Sequence, residues 1–194
     1  MIINEIAKIV KDACQKDANF FGFTIWTHHI LQVVKYAKLM AQKFSADKEI
    51  VEIAALLHDY ASIKDFKMYE DHHIHGVKEA ENILQRFNYP PAKIKQVQHC
   101  IISHRGSKVL RKETKEAIIL ADADAMAHFD SIPALFNFAF LRRKMSIDEA
   151  NSWILAKLER SWKKLSSEAR EIIRDKYDAA KLLLCDFAAM LNYE

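Results

Sequence analysis

Lys48-Glu49-Ile50-Val51-Glu52-Ile53-Ala54-Ala55-Leu56-Leu57-His58-Asp59 is the stretch whose reading decides the fold. Ile50, Ala54 and Leu57 lie on one helical stripe, and His58 continues it, so the run is an amphipathic helix whose last inward residue is an imidazole. Asp59 follows at once, and apolar surroundings penalise a carboxylate unless it is paired or bound to metal.

The same period extends outward in both directions. It predicts helices over residues 3 to 17, 27 to 44, 48 to 59, 72 to 87, 91 to 104, 114 to 129, 132 to 143, 147 to 165 and 168 to 191. No stretch shows the sustained alternation of a strand, and 3 Gly with 3 Pro are too few for the tight turns of a sandwich or barrel. The expectation is an all-α fold. Ser146 with Glu149 has the form of a capping box, and Tyr89-Pro90-Pro91 marks a stop and restart. Residues 60 to 71 and 105 to 113 read as irregular connections, each following a histidine-bearing helix end.

With 194 residues and 51% hydrophobic content, the chain is long enough for one well-packed domain and too apolar for disorder. No linker or repeat divides it, so residues 1 to 194 read as a single helical domain, with the helices after about 131 packed on a core at 25 to 130. A net charge of +3, from interleaved acidic and basic residues, gives no reason to expect a nucleic-acid polymer as partner. The 3 Cys are widely spaced and suit a reducing compartment. No apolar run reaches the length of a membrane span, so a cytoplasmic protein without membrane partners is expected.

Nine His are present, at 28, 29, 58, 72, 73, 75, 99, 104 and 128, and none follows position 128. Periodicity sorts them. His29 aligns with Val33, Ala37 and Met40, whereas His28 aligns with Gln32 and Lys35. His72 heads the stripe Gly76, Ala80, Ile83, Leu84, and His75 points with Glu79, Asn82 and Arg86. His104 closes the stripe Ile94, Val97, Ile101, and His99 falls on the polar side. His73 and His128 are undecided. Residues 114 to 129 are apolar nearly all round, so periodicity does not choose between Asp122 and Asp124. The inward set is His29, His58, Asp59, His72, His104 and one of those two aspartates. Burying six such groups without a metal would be costly, whereas imidazole and carboxylate together suit borderline or hard divalent ions.

These residues resemble the HD superfamily of metal-dependent phosphohydrolases, whose signature is a His, a His-Asp dipeptide and a distant Asp in a helical core. The first His lies in Trp26-Thr27-His28-His29, the dipeptide closes Ala54-Ala55-Leu56-Leu57-His58-Asp59, and the last Asp lies in Ala121-Asp122-Ala123-Asp124-Ala125-Met126. Alignment with the family's Ala-Asp-Arg-Leu selects Asp124, with Asp122 second; Ala125 and Met126 depart from that pattern. His72 with Gly76 matches the HxxxG spacing of two-metal members, and His104-Arg105-Gly106 resembles their later His. The order is similar to the six-ligand dinuclear subset, and the Gly-Tyr-Pro motif of cyclic di-GMP phosphodiesterases is absent.

The resemblance, over about residues 25 to 130, implies an HD-like helical bundle holding one or two divalent ions (Fe, Mn, Mg, Zn or Ni), to which the periodicity adds the C-terminal helices. It implies hydrolysis of a phosphate mono- or diester, a nucleotide among the candidates, with Asp59, His72 and His104 as catalytic groups. Asp59 would bridge, His29, His58 and Asp124 would complete one metal, and His72 and His104 the other. Cations for a small phosphorylated substrate would come from the loops after the ligands. One supplies Arg105, Lys108, Arg111, Lys112 and Lys115, the other Lys64 and Lys67, and Arg105 and Lys64 stand nearest to ligands in sequence. Two rival expectations share the ligand order: a mixed-valent di-iron oxygenase of the same superfamily, and a non-catalytic metal-binding regulatory module. The stripe Trp153, Leu155, Leu158, Trp162 and the helix from Leu182 to Met190 would serve such a module as a homodimer face.

Overall fold

A computed structural model describes residues 2–105 and 111–190, with side chains to 184. Its elements are α1 (Ile2–Cys14), a widened turn (Trp26–Ile30) running into α2 (Leu31–Lys43), α3 (Lys48–Leu57), α4 (Tyr60–Lys64), a 3-10 turn (Phe66–Met68), α5 (His72–Arg86), α6 (Pro91–Ser103), α7 (Lys115–Asp130), α8 (Ile132–Leu141), α9 (Ile147–Lys164) and α10 (Ser167–Met190). No strand occurs among the described residues, and no helix there is long and apolar enough to cross a membrane.

Local chemistry sets the helix starts. Asp47 Oδ1 accepts the backbone N–H of Glu49 (3.0 Å) and Ile50 (3.2 Å) to begin α3, and Thr114 Oγ1 accepts that of Ala117 (3.2 Å) to begin α7. The Ser146/Glu149 capping box forms in both directions at α9. Ser45, Asn88 and Lys144 take left-handed backbone just after α2, α5 and α8, ending each helix.

Residues 60–71 are more ordered than their sequence suggests. Ala61, Ser62 and Ile63 are buried in α4, which packs against α1 and α5. A helix of five residues is too short to display a period, so tertiary packing alone reveals it.

The centre of the fold is α7, which α2, α3, α6, α9 and α10 all pack against. Its alanines 121, 123, 125 and 127 are fully or almost fully buried and let neighbours approach closely. Its polar residues Asp122, Asp124 and His128 are buried too, so each must find a partner inside the protein. Those partners sit on α9 and at the start of α10. Trp162 stacks on Tyr177 at 3.9 Å and Trp153 packs beside Phe138, so the aromatic stripe of α9 is used within the chain.

A candidate metal centre

Four helix ends bring the site together. The widened turn at Trp26–Ile30, with one extra residue per turn, carries His29, and Ser131 Oγ bonds the carbonyl of His28 in that turn. His58 closes α3, His72 opens α5 and His104 closes α6. Gly76 lets α5 lie close: a Cβ there would stand 3.0 Å from Ile101 Cγ2 and 3.5 Å from the His58 carbonyl. The HxxxG spacing thus has a packing reason, because it holds the helix of His72 against those of His104 and His58.

Three of the imidazoles are oriented alike. His58 Nδ1 is 2.8 Å from the Ala55 carbonyl, His72 Nδ1 2.7 Å from that of Tyr69, and His104 Nδ1 2.6 Å from that of Ile101. A carbonyl only accepts, so each Nδ1 carries the proton and each Nε2 faces inward. The acceptors are carbonyls three residues back at a helix end or turn, and that of Tyr69 also accepts the His72 backbone N–H at 3.4 Å.

Asp59 lies between two pairs of histidines. Its Oδ2 is 3.2 Å from His29 Nε2 and 3.4 Å from His58 Nε2, and its Oδ1 is 3.5 Å from His72 Nε2. His72 Nε2 and His104 Nε2 stand 3.2 Å apart, His29 Nε2 and His58 Nε2 3.3 Å. Asp124 presents Oδ1 to His29 (3.6 Å), His58 (3.9 Å) and His128 (3.8 Å), and Oδ2 to Lys164 Nζ (2.7 Å). Burial works against every charge here. Even so, the Asp59 carboxylate raises His58 to about 9, and Asp59 itself falls well below the usual range. Burial pushes His104 down to about 3. Burial also opposes ionisation of Asp124, yet Lys164 and the neighbouring imidazoles hold it well below its ordinary value.

Inward-facing imidazole nitrogens 3.2 and 3.3 Å apart either share a proton within each pair or face a cation that takes its place. The donor set of imidazole nitrogen and carboxylate oxygen fits divalent metals. His29, His58 and Asp59 form one group able to hold an ion, and Asp59, His72 and His104 a second. Of the two candidate aspartates, Asp124 faces the cluster. Asp122 accepts from the Ser166 backbone N–H (3.0 Å) and hydroxyl (2.6 Å) at the start of α10.

The cluster forms the floor of a cavity of about 700 Å³. Arg105 lines it and bonds Glu70 at 3.2 Å, while its Nη1 is buried and has no partner among the described residues. Lys64, expected to bind substrate, does not line the cavity; it pairs with Glu79 at 2.8 Å, because α4 turns its side chain toward α5. Lys108 lies outside the described residues, and Lys115 bonds the Phe44 carbonyl at 3.4 Å. The other cavity cations are Lys157, Arg160, Lys163 and Lys164, all on α9. Sequence reasoning passed over them, although Lys157, Ser161 and Lys164 repeat at helical spacing along the stripe of Ile154 and Leu158. His28 and His75 are exposed as expected, whereas His99 is half-buried and its Nε2 accepts the Glu113 backbone N–H at 3.1 Å.

The HD-domain family matches residues 26–128, more than half of the chain. This chain belongs to the HD-domain family. Solved structures agree in fold across nearly the whole length. Bacillus subtilis YpgQ, in complex with ADP, is 21% identical with a TM-score of 0.71 over 98% of each chain. An HD-superfamily hydrolase from Bacillus thuringiensis is 20% identical with a TM-score of 0.70, covering 99% of this chain and 97% of its own. A predicted HD-superfamily hydrolase from an uncultured Thermotogales bacterium is 22% identical with a TM-score of 0.64, covering 97% and 92%. No curated protein matches the sequence.

Proposed function

We propose that this HD protein is a metal-dependent phosphohydrolase acting on a small phosphate mono- or diester, a nucleotide among the candidates. The observation that carries the reading is Asp59, which turns one oxygen toward His29 and His58 and the other toward His72. His29, His58 and Asp124 would complete one ion, and His72 and His104 the other. Bound Fe, Mn, Mg, Zn or Ni supplies Lewis acidity, activates water and stabilises the attacking and leaving oxygens of a phosphoryl transfer.

The protein's own groups prepare that chemistry. The backbone carbonyls of Ala55, Tyr69 and Ile101 hold the Nδ1 protons, so His58, His72 and His104 keep Nε2 toward the cluster. Arg105, Lys157 and Arg160 line the cavity as cations for phosphate oxygens. Phe21, Tyr69, Phe138 and Trp153 supply aromatic surface along the same wall. The ADP in the complex of the structurally similar YpgQ supports a nucleotide as substrate.

Elemental analysis of the purified protein, with a phosphate-release screen over nucleotides under anaerobic conditions with Mn or Fe(II), tests the reading. Phosphate release without O₂ is the expected outcome. Turnover that needs O₂ and releases no phosphate would instead identify an oxygenase, and metal without any turnover a regulatory module.

A further inference from the structure

His128 belongs to none of the motifs, yet it is buried, lines the cavity and sits one helical turn after Asp124 on α7. Its Nδ1 is 2.8 Å from Ser161 Oγ. That hydroxyl has one proton, which it donates to the Lys157 carbonyl at 3.0 Å, one turn back on α9. With that proton on the carbonyl, Ser161 Oγ is an acceptor toward the ring, Nδ1 carries the hydrogen and Nε2 is bare. The arrangement repeats that of His58, His72 and His104, with a hydroxyl in place of a carbonyl.

Nε2 of His128 lies 3.8 Å from Asp124 Oδ1, too far for a hydrogen bond to that carboxylate. Its ring stacks on that of His29 (5.3 Å, 6°), and His29 Nε2 is 3.6 Å from the same Oδ1. The ligand atoms of His29, Asp124 and His128 all lie within 4.8 Å of one another. Ligand atoms held about 2.0–2.2 Å from one ion stand roughly 3–4 Å apart. Two imidazole nitrogens and a carboxylate oxygen thus converge where no hydrogen bond joins His128 to Asp124.

We propose that His128 is a metal ligand, which with Asp124 Oδ1 and His29 forms a further divalent-cation position at the α9 end of the cluster. Ser161 is its positioning residue. His29 Nε2 serves only one ion at a time, so this position competes with the one at His29, His58 and Asp59, and filling either weakens the other.

The proposal rests on the metal-centre reading, and one titration separates the two. Chelator-stripped full-length protein is titrated with Co(II), followed by calorimetry and visible absorption, for wild type, His128→Ala, Ser161→Ala and Asp59→Ala. Expected is an at least tenfold loss of affinity in one class of site for His128→Ala, with an altered Co(II) spectrum. Ser161→Ala should weaken the same class about tenfold, and it carries the test if His128→Ala fails to fold. Isotherms and spectra of both variants that superimpose on wild type overturn the role of His128 alone. Wild-type protein that takes up no Co(II) overturns the metal centre as well.

Discussion

The two inward carboxylates of this HD protein differ in what faces them. Both oxygens of Asp59 look at imidazoles, whereas Asp124 shows Oδ1 to imidazoles and gives Oδ2 to the Lys164 ammonium at 2.7 Å. One carboxylate is free at both ends and suits a bridge; the other is half neutralised and suits a terminal ligand. Their origins differ too. Asp59 is framed by the widened turn, α3 and α5, whereas Asp124 also meets α9 through Lys164. Partner choice, rather than residue type, assigns the two their different work.

The largest effect is expected from removing the proposed bridge: Asp59→Ala should lose the ions that Asp59 would hold and the proposed phosphatase activity together, with turnover below detection and metal content in elemental analysis cut to what His29, Asp124 and His128 retain. A fully active, metal-loaded variant would erase the distinction between the two carboxylates. Next comes Lys164→Met, which leaves Asp124 ionised beside imidazoles without its ammonium. Breaking such a pair should destabilise the metal-free protein by about 3 kcal/mol. Added Mn should recover most of the loss, because binding to the native state stabilises it; thermal melts with and without Mn read both numbers.

Arg105→Ala should be milder and fall on the substrate. An increase in KM of roughly tenfold, from a lost charged hydrogen bond, is expected with little change in metal content. Equal loss of metal would make Arg105 a support of the cluster instead.

The smallest effect is a pH window. Imidazoles ligate only when neutral, and His58 is raised to about 9, so protons compete with metal and occupancy should fall as pH drops below that value. Away from the cluster, Asp130 accepts from Tyr36 Oη at 2.7 Å and pairs with Lys176. Although burial opposes its ionisation, these partners hold it below its ordinary value. A depressed carboxyl contributes stability above its unfolded pKa of about 3.9 and loses it as pH falls through the folded value. Metal release should therefore precede acid unfolding, with circular dichroism at pH 5 still native while elemental analysis shows depletion.

The Asp59 side of the comparison was legible in the helical stripes, whereas the Asp124 side was legible only through the family resemblance. His29, His58, His72 and His104 lie on apolar stripes of separate helices, and a stripe survives into the structure whatever the neighbours are. Asp122 and Asp124 share a helix that is apolar all round, so periodicity does not tell them apart; the family pattern selects Asp124, and their partners on the next helices, Ser166 and Lys164, give the physical difference. Lys157, Ser161 and Lys164 look like the ordinary polar residues of a surface helix, and Lys64 looked useful because it is near Asp59 in sequence, where the family often has a basic residue. Distance along the chain is a poor guide to which cations reach a cavity, because a single helical turn reverses the direction of a side chain.

The carbonyl locks on His58, His72 and His104 have a kinetic consequence. A ring fastened three residues back along its own chain cannot swing away on the nanosecond scale of free rotamers; it moves only when that helix end moves. Release of a bound ion then waits on displacement of α3, α5 or α6, motions of microseconds or longer, so off-rates should track the breathing of the bundle.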